Sequence, residues 1–283
     1  MKDRALVLGG GGPVGVAWEA GLLAGLRAGG VDVYAADYIQ GTSAGSIVGS
    51  AVAAKVDLDQ VVAFQRATPA ASAARPSAPP DLSKLIAFMM RFPPTGEPSI
   101  EMRREIGRFS LESPTPTEDQ FIAMLSGGLP PGDWPATYAC TAVDTESGEF
   151  RLWRRADGVP LARAIASSCA VPGIYPAVTI EGRRWMDGGM RSSISIDQAA
   201  GYKRVLAVAV IPAIARDRLL PRFEAEAAPV RAAGGEYVLI GPDDASAGAF
   251  GPNLMDISRR SAVVEAGLAQ GRAEAARIKA FWN

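Results

Sequence analysis

The chain has 283 residues, 48% of them hydrophobic and 21% charged, which is enough to bury a large core and suits one α/β domain carrying an insertion. A formal charge of -1, with Lys and Arg scattered along the chain, leaves no basic footprint, so nucleic acid is not an expected partner. Histidine is absent, which removes both the usual zinc ligand sets and the usual base for a serine nucleophile.

The apolar run ALVLG at residues 5–9 ends in glycines and reads as a buried parallel strand. The next stretch, VAWEAGLLAGLRAGG, has apolar residues at Val16, Ala20, Leu23 and Leu26 and closes on Gly29 and Gly30, so it predicts a helix. DYIQG is a second strand, and Ala44 to Ala54 a second helix starting directly after it. Strand, tight turn and helix, twice over, open a parallel α/β sheet with its turns at the carboxyl ends of the strands.

From Pro69 to Pro98 there are seven prolines among alanines and serines, poor material for a sheet. Residues 68–135 therefore read as an insertion or lid, with helices over Leu82 to Phe92, Glu101 to Phe109 and Glu118 to Gly128. ATYACTAVD returns to strand, with EFRLWRR as its hairpin partner across TESGE. A helix over Leu161 to Ser168, a strand pair within AVTIEGRRWMDGG, and the strands RVLAVAVI and EYVLIGP follow. Asp256 to Phe281 reads as a long amphipathic helix. The sequence has no internal repeat.

No segment approaches the roughly 20 apolar residues of a membrane span. The apolar run near the N-terminus is too short and glycine-rich for a signal peptide core, so a cytoplasmic location is expected. Cys140 and Cys169, far apart and in apolar surroundings, read as buried reduced thiols.

Two turns carry the chemistry. In GGGGPVG, the glycines Gly10, Gly12 and Gly15 match a dinucleotide fingerprint. That reading also wants an acidic residue closing the second strand, whereas Asp32 and Asp37 precede that strand's apolar core. A phosphate loop fits worse, because Val16 and Ala17 stand where a lysine and a hydroxyl belong. Alternatively the amides of Gly10, Gly11 and Gly12 form an oxyanion hole.

The second turn, GTSAG, sets Ser43 between Gly41 and Gly45 where a strand becomes a helix. A nucleophile elbow has this form, because crowded neighbouring strands leave no room for a Cβ on either side. The amide of Ala44 would be an additional oxyanion donor. The plainer alternative is that Ser43 is a helix N-cap.

A base must then come from a carboxylate or a neutral lysine. Lys55 lies about three helical turns beyond Ser43, too far along that helix. Asp187, in RRWMDGGM, follows a strand-like run and precedes Gly188 and Gly189. Its apolar neighbours Trp185 and Met186 would raise its pKa and make it a better base near neutral pH. The plainer alternative is an Asp-Gly turn.

Together these residues resemble the patatin-like phospholipase family from Leu6 to about Met190. GGGGPVG resembles the family's glycine-rich loop, GTSAG its nucleophile elbow and DGG its aspartate motif. ASSCAVPG resembles the block leading to that aspartate, and TAVDTESGE the family's strand and turn. The resemblance implies a three-layer α/β/α sandwich with a central, mostly parallel sheet. It also implies a Ser-Asp dyad with Ser43 as nucleophile and Asp187 as general base, no metal or organic cofactor, and a lipid or other acyl-ester substrate. The apolar segment Leu82 to Phe92 offers an acyl channel or a lid in transient contact with a membrane surface, and its plainer alternative is a packed helix. One departure is Val14, which stands where the family usually carries Arg or Lys, so any help from a cation in the loop is lost while the backbone donors survive. Alternatives of other classes are a dinucleotide-binding oxidoreductase using Gly10, Gly12 and Gly15, and a catalytically silent lipid-binding member.

Overall fold

The computed structural model describes residues 2–67 and 80–283. In chain order it contains β1 (Lys2–Leu8), α1 (Gly12–Ala28), β2 (Tyr38–Gly41), α2 (Ala44–Ala53), α3 (Leu58–Arg66), α4 (Ser83–Met90), α5 (Ile100–Glu112) and α6 (Glu118–Ser126). Then come β3 (Tyr138–Asp144), β4 (Phe150–Arg154), α7 (Leu161–Ser168), β5 (Val178–Ile180), β6 (Arg183–Asp187), β7 (Tyr202–Val208), α8 (Arg216–Glu226), α9 (Ala228–Ala232), β8 (Glu236–Ile240), α10 (Asp244–Phe250) and α11 (Arg260–Trp282).

Among the described residues one sheet holds all eight strands. β3, β2, β1, β7 and β8 are neighbours in that order and pair in parallel. β4 and β6 pair antiparallel with β3, and β5 with β6. The expected hairpin of β3 and β4 and the strand pair of β5 and β6 are both present. Alternation along β1 shows why helices cover both faces. Leu6 and Leu8 enter one apolar cluster with Trp18 of α1, Val48 of α2, Ile165 of α7 and Val264 of α11. Ala5 and Val7 enter another with Phe223 of α8 and Val230 of α9. The architecture is the expected α/β/α arrangement around a mixed, mostly parallel sheet.

The register of β3 positions the site. Cys140 pairs with Gly41 of β2 and with Trp153 of β4, and Ala142 pairs with Arg151 of β4 and with Asp187 of β6. A strand has two edges, so β2 and β6 share the edge that β4 does not occupy. The carboxyl ends of β2 and β6 therefore meet head-on across from Cys140 and Ala142.

The expected helices of the insertion are present as α4, α5 and α6, whereas residues 68–79 of the expected lid lie outside the described residues. α3, α8, α9 and α10 went unforeseen. α3 carries a start signal in Asp57, whose side chain accepts from the Asp59 amide. α8 hides its helix behind Pro221 and is held by buried Phe223 and the ion pair of Arg222 with Glu226 at 3.7 Å. The final helix is two-faced as expected: α11 buries Val263, Val264, Ile278 and Trp282 at helical spacing, and between them Gly267, Gln270, Gly271 and Ala275. A Cβ at Gly271 would stand 2.2 Å from the Leu22 carbonyl oxygen, so the two backbones are nearly in contact.

Candidate active site

Ser43 follows β2 with φ 52° and ψ -114°, a left-handed conformation for a residue with a Cβ, which costs about 1–3 kcal/mol. What holds it there is the packing of its flanking glycines. A Cβ at Gly41 would lie 2.2 Å from the Gly45 carbonyl oxygen, and one at Gly45 would lie 2.4 Å from the carbonyl of Leu8. The Gly45 amide donates to the Gly9 carbonyl at 2.9 Å, which ties the start of α2 to the glycine loop.

Although Ser43 occupies the N-cap position of α2, its side chain makes no capping hydrogen bond. Its hydroxyl makes no well-formed hydrogen bond to Asp187, but is near enough to that carboxyl to oppose the rise in its pKa. Both residues are buried, at 6% and 3% exposure. Burial lifts the Asp187 carboxyl to about 7, against the opposing pull of a hydrogen bond from the Gly189 amide and of the Ser43 hydroxyl. The Gly189 bond, 2.7 Å to Oδ1, shows that the aspartate also shapes its Asp-Gly-Gly turn. The turn reading is therefore true of one oxygen without accounting for the buried, uncharged surroundings.

The block ASSCAVPG touches both residues. The Ser43 amide donates to Ser168 Oγ at 3.0 Å, Cys169 Sγ lies 3.3 Å from the Ser43 carbonyl oxygen, and the Asp187 amide donates to the Ala170 carbonyl at 3.0 Å. Three consecutive residues at the end of α7, Ser168 to Ala170, thus fix the two halves of the site relative to each other. Thr141, between Cys140 and Ala142 on β3, donates to Thr42 Oγ1 at 2.8 Å. Beyond the turn, buried Arg191 pairs with Asp197 at 2.6 Å and with Glu97 at 2.5 Å. Ser168, Ala170 and Thr141 were not singled out in the sequence, because a small buried hydroxyl or backbone carbonyl carries no signal until its partner is known.

The glycine loop lies against the elbow. A Cβ at Gly10 would be 3.3 Å from that of Ser43, and one at Gly15 would be 3.1 Å from that of Ala44. Of the expected oxyanion donors, the Gly10 amide is already engaged by the Ser193 carbonyl at 2.7 Å. The amides of Gly11, Gly12 and Ala44 have no acceptor among the described residues. Gly12 adopts φ 58°, in a turn that brings it close to the carbonyl of Leu254. Gly188, the other motif glycine, is pressed against Thr141, where a Cβ would meet Oγ1 at 2.0 Å. Val14 is fully buried and its amide donates to the Leu254 carbonyl at 3.2 Å.

Other candidates fall away from the site. Lys55 is exposed beyond the end of α2. Asp37, which a dinucleotide site would need at the carboxyl edge, instead accepts from the amides of Asp3 and Arg4 at the amino end of β1. Cys140 and Cys169 are buried and free, and burial pushes the Cys169 thiol up to about 12. Among the described residues no group of acidic residues and cysteines is arranged to hold a metal ion, and no helix is long and apolar enough to cross a membrane.

No curated protein matches the chain. Among solved structures, VipD from Legionella pneumophila is similar at 12% identity and a TM-score of 0.48, over 98% of this chain and 67% of that one. The type III effector protein ExoU is similar at 12% identity and a TM-score of 0.44, over 98% of this chain and 53% of that one. The family model for patatin-like phospholipases matches residues 6–200, which include the glycine loop, the elbow, the ASSCAVPG block and the Asp-Gly-Gly turn, and membership implies lipid acyl hydrolysis. The chain belongs to the patatin-like phospholipase family.

Proposed function

We propose that this protein hydrolyses fatty-acyl esters, glycerophospholipids among them, through an acyl-enzyme on Ser43 with Asp187 as the general base. The observation that carries this reading is a strained serine that caps nothing and lies near a carboxyl whose pKa burial has lifted to about 7. A carboxyl in that state takes and returns a proton near neutral pH, as a base that replaces histidine must.

Ser43 Oγ attacks the ester carbonyl carbon while its proton passes to the Asp187 carboxylate. The negative charge then developing on the carbonyl oxygen is met by the free amides of Gly11, Gly12 and Ala44, aided by the positive end of α2. As the carbonyl reforms, the bond to the alcohol breaks, and the proton held by Asp187 goes to the departing oxygen. Water, deprotonated in turn by Asp187, attacks the acyl-serine and releases the fatty acid with Ser43 restored. Each step balances with the two side chains and one water, and no cofactor enters.

The test is labelling with a fluorophosphonate probe together with hydrolysis of a soluble p-nitrophenyl ester. Wild type is expected to label at Ser43 and to turn over the ester, and Ser43→Ala to do neither. Equal labelling of wild type and Ser43→Ala would remove the hydrolase reading.

A further inference from the structure

Three large apolar side chains project from one region of the surface. Ile86 and Met90 are 51% and 61% exposed, and lie four residues apart on one face of α4. Ile214, just before α8, is 99% exposed. Arg218, one helical turn beyond Ile214, joins the two elements by donating to the carbonyls of Met90 at 2.7 Å and Phe92 at 2.6 Å. Single exposed apolar residues are ordinary, but three brought together by a built contact are not. On or beside these two elements lie the cations Lys84, Arg216 and Arg218, none with a carboxylate within 4.0 Å among the described residues, and the exposed carboxylates Asp81 and Asp217. Three cations against two carboxylates leave an excess of one positive charge around the protruding apolar tips, in a chain of net charge -1.

The opposite face of α4 looks toward the candidate site. Leu85 and Phe92 pack with Met186 and Met190, which flank the Asp187 turn. At the other end, the Pro80 carbonyl accepts from Asn253, whose neighbour Leu254 accepts from the Val14 amide in the glycine loop.

We infer that α4 and the start of α8 form a bilayer-docking surface, which inserts Ile86, Met90 and Ile214 among acyl chains and sets Lys84 and Arg216 against anionic headgroups, while the Arg218 guanidinium stays on the backbone carbonyls at the end of α4. The inference rests on the lipid-hydrolase reading for its purpose, though not for its test. Buried apolar area and attraction to anionic lipid together set the strength of such binding. Docking there brings lipid to a helix whose Leu85 packs with Met186 and Met190 beside the Asp187 turn.

The test is co-sedimentation of the full chain with vesicles of phosphatidylcholine alone or mixed with phosphatidylglycerol. Wild type is expected to favour the mixed vesicles. The combined variant I86S/M90S/I214S should lose at least about tenfold in vesicle partitioning while hydrolysing a soluble ester at the wild-type rate. K84Q/R216Q should lose the preference for anionic vesicles. Undiminished binding of the triple variant would overturn the inference. So would a wild-type dimer in solution that the triple variant dissolves, since the face would then join two copies of the chain. Vesicle binding as expected without soluble-ester hydrolysis would uphold the docking surface and defeat the hydrolase reading instead.

Discussion

The amide of Gly45 donates to the carbonyl of Gly9 at 2.9 Å. Through this bond the elbow and the glycine loop, more than thirty residues apart in sequence, become one rigid unit, so the strained backbone of Ser43 and the free amides of Gly11 and Gly12 keep a constant separation. The unit tolerates no side chain, because a Cβ at Gly45 would lie 2.4 Å from the Leu8 carbonyl. Gly45→Ala is expected to lower stability by about 2–3 kcal/mol and to abolish turnover. Thermal unfolding and ester hydrolysis measured together check this, and a variant with wild-type values would show that the elbow can shift at little cost.

The pKa of about 7 at Asp187 predicts how activity depends on pH. Under the proposed mechanism Asp187 must be unprotonated in the free enzyme, so kcat/KM should rise about tenfold per pH unit below 7 and level off above it. Asp187→Asn should be folded and nearly inactive at every pH.

The same carboxyl predicts a trade of stability for function. Its folded pKa lies above the ordinary aspartate value, so the folded state binds the proton more tightly. Wild-type stability should therefore fall as pH rises from about 4 towards 7. Asp187→Asn, which cannot ionise, should melt at a higher temperature than wild type above about pH 7 and nearly level with it near about pH 4. Melting curves across that range decide the matter. A variant less stable at every pH would mean that the carboxyl is needed structurally.

Ser168 accepts the hydrogen bond of the Ser43 amide and so helps to hold the strained turn. Ser168→Ala leaves that buried donor without a partner, at a cost of about 1–3 kcal/mol. We expect a lower melting temperature and a reduced kcat with little change in KM, which steady-state kinetics would reveal.

Glu19 of α1 is fully buried, and neither carboxylate oxygen has a hydrogen-bond partner. Burial holds its pKa well above the ordinary glutamate range. The folded chain thus retains a proton that the unfolded chain releases. Glu19→Gln should stabilise the protein more at about pH 8 than at about pH 5. Equal effects at the two pH values would show that Glu19 is not held neutral.

The elements that read clearly in the sequence are those whose burial is two-sided or strictly periodic. β1 and β7 each contain an apolar run, ALVL and VLAV, β2 and β3 are short mostly apolar stretches buried throughout, and α1 carries apolar residues at helical spacing. α8 was not legible because a proline interrupts it and its pattern is polar; its place is set by Phe223 packing beneath the sheet. α11 was legible as a helix but not in its manner of packing. Its contact with α1 relies on the absence of side chains at Gly267 and Gly271, and hydropathy does not register an absence.

By itself the sequence determined which residue types were available: a serine between glycines, a carboxylate before glycines, a loop bare of side chains, and no histidine. It also set the local conformations that such residues favour. The tertiary structure decided which of them meet. Ser43 and Asp187 come together because β2 and β6 run towards each other along one edge of β3, a consequence of pairing register with no local cause. It likewise decided which amides remain free, since the Gly10 amide is taken by Ser193, almost two hundred residues away. Long-range pairing and burial are properties of the folded chain, and the protonation of Asp187 depends on them because low-dielectric surroundings act on a charge only after the chain has closed around it.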